Sequence, residues 1–143
     1  MRVRFVSEDE IGSAAEVWYD GLREEEGSPW ENYLKKWTPS SAARWFLDSK
    51  KRLGAKILVA EKEKIVGING IISERNSGKG RLFTGIAVSP SYRRQGIGSL
   101  LHRTLLELKR EGLRWAEVET IQGIPAAKYL YPKYGGESIQ VPA

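Results

Sequence analysis

The amino-acid sequence predicts an α+β domain whose elements run β-α-α-β-β-β-α-β-α-β. Three observations carry this reading. Two amphipathic helical patterns follow one another near the N-terminus. Three strand patterns then come in succession, joined only by turns and a short loop. One long helical stripe separates them from the next strand, so regular β-α-β winding is absent. With 143 residues, the chain fits one domain, residues 1–143, large enough to bury a core.

Residues 2–6 alternate and read as a first strand. Ser7 is placed to cap the helix that follows, with Glu10 completing a capping box. Ile11, Ala15, Trp18 and Leu22 then recur at helical spacing. Residues 27–37, broken by Gly27 and Pro29, read as a loop. Thr38-Pro39 is an N-cap followed by a first-turn proline, and Ala42, Trp45, Phe46 and Ser49 carry the second helix toward Gly54. KILVAE and IVGINGIIS are two strands joined by the polar turn at Lys62–Lys64. RNSGKG is a loop, and RLFTGIAV, residues 81–88, is a third strand. Ile97, Leu100, Leu101, Thr104, Leu105 and Leu108 form an apolar stripe that ends at Gly112. RWAEVETI is a further strand, Pro125 opens a short helix through AAKYLYPKY that Gly135-Gly136 ends, and ESIQV is a last short strand.

Composition removes several functional classes. No apolar run reaches the ~18 residues of a membrane span, and MRVRFVSEDE lacks the apolar middle of a signal peptide; a soluble, cytoplasmic protein with no membrane partner is expected. There is no cysteine and one histidine, His102. Disulfides, thiolate metal sites and cysteine nucleophiles are excluded, and a His-based metal cluster or a Ser-His-Asp triad is hard to build. No metal is expected, and His102 reads as a solvated helical residue. The net charge of +5 is unevenly spread. Residues 7–34 hold nine acidic residues and one basic one, Arg23, whereas residues 89–114 hold six basic residues against Glu107 and Glu111. A nucleic-acid coat would be basic throughout, and these arginines are not interleaved with aromatics. No nucleic-acid partner is expected.

The stretch SYRRQGIGSLL, residues 91–101, concentrates the chemistry. A helix N-terminus presents unpaired N–H groups and partial positive charge, which together make an anion site. Gly96 and Gly98 remove side chains that would hold an anion away from the backbone, and Arg93 and Arg94 add charge. A pyrophosphate suits this better than one carboxylate. A P-loop would need a glycine five positions before Gly78-Lys79, where Ser73 stands. A dinucleotide fingerprint would need a glycine at Leu101, and Glu117 and Glu119 lie within a strand rather than after one.

Arg93-x-x-Gly96-x-Gly98 resembles the Q/R-x-x-G-x-G/A acyl-CoA signature of the GNAT N-acetyltransferase superfamily. Its setting is similar too: a strand ending IAV, the turn SPSYRR, then a long helix. Ala127, Leu130, Tyr131, Lys133 and Gly135 resemble the family's second motif, and the element order matches over nearly the whole chain. The resemblance implies a mixed, mostly antiparallel sheet flanked by helices. It also implies two strands after the tyrosine helix, of which one fits before Ala143; a partner chain supplying the other would make a homodimer.

Carried over by position, the resemblance implies that the strand at 81–88 is splayed from its neighbour and that the pantetheine arm of acetyl-CoA, the co-substrate, pairs with Ile86, Ala87 and Val88. It implies that Arg93, Arg94, Gln95, Gly96, Ile97, Gly98 and Ser99 form the pyrophosphate loop. Tyr131 matches the tyrosine that protonates the departing thiolate. The third strand carries Phe83, Thr84 and Gly85 where many relatives place a basic glutamate. Glu117 and Glu119 on the next strand are the substitutes, and Glu119 stands as the candidate base, with the face it takes left open. The chain departs from the pattern at Ile124, where relatives often have Asn, and at Pro132, where they have Glu.

Trp18 and Trp45 sit on helical stripes and read as core, while Trp30 and Trp37 lie off them and are candidates to line an acceptor pocket. Glu24-Glu25-Glu26 falls near a helix C-terminus, where each acid costs ~0.3–1 kcal/mol. Either a solvated charge run or an acidic rim that attracts a cationic amine accounts for it; Glu24 and Trp30 stand as the substrate-binding candidates. Two functions emerge. One is an acetyltransferase that moves acetyl from acetyl-CoA to a small cationic amine or a peptide amino group, by direct attack in a ternary complex. The other is a non-catalytic acyl-CoA-binding sensor or regulatory module.

Overall fold

A computed structural model describes residues 2–23, 35–74, 78–92, 97–113 and 115–118. Strand β1 (Arg2–Phe5) leads through a 3-10 turn, Glu8–Glu10, into helix α1 (Ile11–Arg23). The Ser7 N–H donates to Glu10 Oε1 at 3.1 Å, so the expected Ser7–Glu10 pairing holds the entry to that turn rather than the first turn of α1 itself. Helix α2 (Pro39–Leu53) begins as the sequence predicts: the Ser41 N–H donates to Thr38 Oγ1 at 3.0 Å and the Thr38 N–H to Ser41 Oγ at 2.9 Å. Gly54, at φ +64°, closes it in the left-handed region.

Strands β2 (Lys56–Lys62) and β3 (Lys64–Glu74) form a hairpin around Glu63. Strands β4 (Lys79–Arg81) and β5 (Ala87–Val88) follow, then helix α3 (Ile97–Arg110) and strand β6 (Trp115–Glu117). The sheet order is β1-β2-β3-β4-β6, with β5 also on β3. Every pairing is antiparallel except that of β4 with β6. The expected third strand over 81–88 is therefore corrected. It is two short strands, and β4 starts at Lys79, inside the stretch expected to be loop.

Alternation divides the strands between two apolar layers. Ile57, Val59, Ile68 and Ala87 pack with α1 and α2 on one face, around Trp18 and Phe46. On the other, α3 lays Leu100 against Leu58, Ala60 and Val66, and Leu101 and Leu108 against Ile71 and Leu82. The stripe predicted from the leucines is thus the core face of α3, and His102 is exposed as expected. A polar contact crosses that layer: Asn69 Nδ2 donates to Thr104 Oγ1 at 3.2 Å, and the Thr104 hydroxyl donates to the Leu100 carbonyl at 2.8 Å. Gly80 lets α3 come close, since a Cβ there would lie 2.7 Å from Leu108 Cδ2.

The start of the chain is tied down by charge. Arg4 donates to both carboxylate oxygens of Glu10, at 2.8 and 2.7 Å, and to Glu61 at 2.8 Å. These hydrogen bonds hold both carboxyls below the usual glutamate range. A carboxyl lowered by folding stabilises the native state above its unfolded pKa, near ~4.3, and loses that contribution as pH falls toward the folded value. Part of each carboxylate meets solvent, so salt weakens the effect. The thermal midpoint should therefore drop between about pH 5 and about pH 3, and Arg4→Met, less stable at neutral pH, should lose less across that interval. Calorimetric scans at both pH values check this; parallel losses in the two proteins would contradict it.

Candidate active site

The site starts from a mismatch in strand length. Arg81 pairs with Ile72 and Ala87 with Ile68, so six residue steps on the broken strand face four on β3. Two residues are in excess. Because the excess is even, side chains keep their faces across the break: Leu82 and Ile86 both point into the α3 layer, and Phe83 and Ala87 into the α1–α2 layer.

Local interactions fix where the excess goes. The Leu82 N–H donates to the Glu117 carbonyl at 2.8 Å, extending the ladder with β6 by one bond. The chain then turns at Gly85, whose φ is +63° and whose N–H donates to the Leu82 carbonyl at 3.1 Å. Only glycine takes that φ without strain. The Thr84 hydroxyl accepts from the Gly70 N–H at 2.7 Å and donates to the Gly85 carbonyl at 2.8 Å. The Thr84 carbonyl accepts from the buried indole N–H of Trp18 at 3.0 Å. Phe83 lies over Gly70, where a Cβ would come within 2.4 Å of the ring.

Beyond the break, β5 pairs with β3 along one edge; among the described residues no strand pairs with the other. Helix α1 presses on β5 through Gly21, where a Cβ would stand 2.9 Å from the Val88 carbonyl oxygen. The Ser89 N–H donates to the Val66 carbonyl at 2.8 Å, the 3-10 turn Pro90–Tyr92 follows, and α3 opens at Ile97. The structure thus puts Ile86, half-buried, with Ala87 and Val88, both buried, at the break. Ile97, Gly98 and Ser99 are the first three residues of α3, and Ser99 is exposed. Arg93, Arg94, Gln95, Gly96, Glu119, Tyr131, Glu24 and Trp30 lie outside the described residues, as do the expected last helix and last strand.

Glu117 and three of the tryptophans can be placed as well. Glu117 ends β6 opposite Arg81, with its carboxylate 3.0 Å from Lys79 Nζ and half exposed, so this substitute base is engaged in an ion pair. Trp18 is core, as expected, at 1% exposure. Trp37 joins it, with its ring 5.6 Å from Trp18 and 4.9 Å from Trp45. Trp45 stands edge-on to Phe83 at 5.3 Å, so one aromatic group runs from α2 to the break. Gly21, Gly70 and Thr84 were not singled out as site residues from the sequence. The available signal was glycine inside a strand pattern, which marks a bulge or a close backbone approach.

Among the described residues, then, a two-residue bulge in the strand beside β3 leads to a short strand whose outer edge no strand pairs, and α3 opens a few residues beyond it. Residues 54–135, more than half the chain, match the family described as the acetyltransferase (GNAT) domain, and the chain belongs to that family. No curated protein sequence matches the chain. Solved structures with the same fold include an N-acetyltransferase from Staphylococcus aureus Mu50, 21% identical over 94% of this chain and 81% of that one, with a TM-score of 0.76. A PaiA N-acetyltransferase from Thermoplasma acidophilum, in complex with coenzyme A, is 15% identical over 94% and 89%, with a TM-score of 0.74. A transcriptional regulator from Bacillus halodurans C-125 is 21% identical over 99% and 96%, with a TM-score of 0.72.

The geometry of the break makes Gly70 a sensitive position. Gly70→Ala should cost about 1–3 kcal/mol by forcing the Phe83 ring aside, and Phe83→Leu in the same chain should recover part of it. Denaturant titration of the single and double variants reads the coupling. Additive losses would show that the ring and Gly70 are not in contact.

Proposed function

We propose that this domain transfers acetyl from acetyl-CoA to a primary amine, by direct attack of the amine on the thioester in a ternary complex. The observation that carries this reading is the outer edge of Ala87–Val88, which no strand pairs among the described residues and which is followed in the chain by the start of α3. Its main-chain groups suit the amides of a pantetheine arm, which pair with a strand edge as another strand would. The N–H groups opening α3, with Arg93 and Arg94 before them, suit the pyrophosphate. The coenzyme A held by the similar Thermoplasma structure supports the choice of ligand.

In the reaction the amine lone pair attacks the acetyl carbon, the C–S bond breaks, and the departing sulfur takes a proton. Tyr131 is the proposed donor, since a phenol near pKa ~10 can protonate a thiolate whose acid is near ~8.5. A main-chain N–H near Val88 is the proposed partner of the thioester oxygen. The amine proton goes to Glu119, the proposed base, directly or through water. A cationic acceptor fits the acidic segment 7–34, in which Glu24 and Trp30 are the proposed contacts. The second reading, an acyl-CoA sensor, is favoured by one observation: Glu117, the carboxylate nearest the break on β6, is already paired with Lys79.

Acetyl-CoA at about a hundred times its dissociation constant should raise the thermal midpoint by a few degrees, while ATP and NAD should not. No shift with acetyl-CoA would overturn the proposal. Tyr131→Phe should lower turnover by about 10²-fold or more with acetyl-CoA affinity unchanged. Full turnover in that variant would remove the tyrosine from the mechanism, and acetyl-CoA binding by the wild-type chain without turnover on any amine would favour the sensor.

A further inference from the structure

We infer that Thr84 and Trp18 are positioning residues for the acyl-CoA edge: together they hold the two excess residues in one conformation and so set where Ala87 and Val88 present their outer edge. The inference rests on the acyl-CoA reading above.

Consider what the break does to the main chain. In an unbroken pair, the Gly70 N–H would bond to a carbonyl of the neighbouring strand. The excess residues remove that carbonyl, and a buried N–H without an acceptor is costly. The Thr84 hydroxyl replaces it at 2.7 Å, in a residue itself only 8% exposed. The same hydroxyl sends its proton to the Gly85 carbonyl, which fixes the rotamer and the peptide after it. The Thr84 carbonyl, turned out of the ladder and buried, would otherwise be orphaned. Trp18 supplies its donor from the middle of α1, sixty-six positions away in the chain.

The two residues therefore satisfy the Gly70 N–H, the Gly85 carbonyl and the Thr84 carbonyl, and they do so from two elements. Thr84 ties the break to β3, and Trp18 ties it to α1. One turn further along, Gly21 of the same helix lies against the main chain of Val88. Helix α1 thus meets the strand at the bulge and again at the edge. A shift of the Thr84 peptide must move α1 or move the edge, because Gly21 leaves no slack between them. The indole and hydroxyl act through Ala87 and Val88 and touch no substrate.

The test uses the full chain and acetyl-CoA, with binding measured by calorimetry at a temperature well below each variant's unfolding midpoint. Thr84→Val keeps the side-chain shape and removes the hydroxyl; Trp18→Phe keeps a ring and removes the donor. Each should weaken acetyl-CoA binding about tenfold, as expected when one hydrogen bond that shapes a site is lost, with the KM for the amine little changed. Thr84→Ser, which retains the hydroxyl, should restore wild-type affinity. A purely structural role would lower the midpoint and leave the affinity of the folded protein alone, so unchanged binding in both variants overturns the inference while leaving the acyl-CoA reading intact. If the wild-type chain takes no acetyl-CoA, the reading itself fails and the inference goes with it. Should the variants not fold, amide exchange in the wild-type protein decides: the Gly70 N–H should be among the slowest in β3, and rapid exchange there overturns the inference.

Discussion

The hydrogen bond from the Gly70 N–H to the Thr84 hydroxyl stands where a strand-to-strand bond would otherwise be. Much of the site depends on that substitution. A β-sheet can part between two strands only if the groups it separates find other partners, since a buried amide without one costs about as much as a whole substitution elsewhere. Here a single side chain supplies the missing acceptor, a single glycine at positive φ makes the turn, and one indole satisfies the carbonyl that turns away. The bulge is then a stable state rather than a defect, and it sets the position from which β5 starts.

The second constraint is the placement of α3. Its core face is fixed by Leu100, Leu101 and Leu108, by the close approach over Gly80, and by the Asn69–Thr104 contact, which resists sliding along β3 more than apolar contacts alone would. Between β5 and α3 the chain passes through Ser89, the 3-10 turn Pro90–Tyr92 and residues 93–96, and with the strand and the helix both packed on β3 the start of α3 has a set position relative to Ala87 and Val88. A strand edge offers directional hydrogen bonds and a helix start offers an anion site. The proposed acyl-CoA, with amides in its pantetheine arm and a pyrophosphate beyond them, would need the two in that sequence.

Much of this was readable from residue order. The caps at Thr38 and Gly54, the leucine stripe of α3 and the β2–β3 hairpin are short-range features, set by residues three or four apart or by one turn. The proposed position of the acyl-CoA edge rests on the IAV segment and the glycines at 96 and 98, which are local signals too. What escaped was the break. RLFTGIAV has the composition of one strand, and nothing within those eight residues says that two of them exceed the partner's length. That information lies in Gly70 and Trp18, far along the chain, and takes effect only when β3 and α1 are packed. Likewise Trp37, set off the helical stripes by its spacing, was placed by tertiary stacking on Trp45 and Trp18.

The central claim is that the break creates a ligand edge along Ala87–Val88. Residue-resolved amide exchange with and without acetyl-CoA tests it most directly. The account predicts that added acetyl-CoA slows exchange at Ile86, Ala87 and Val88 and in the segment from Arg93 to Ser99, while β1 and the β2–β3 hairpin turn stay as they were. Slowing spread evenly over the sheet, or confined to residues away from the break, would contradict it.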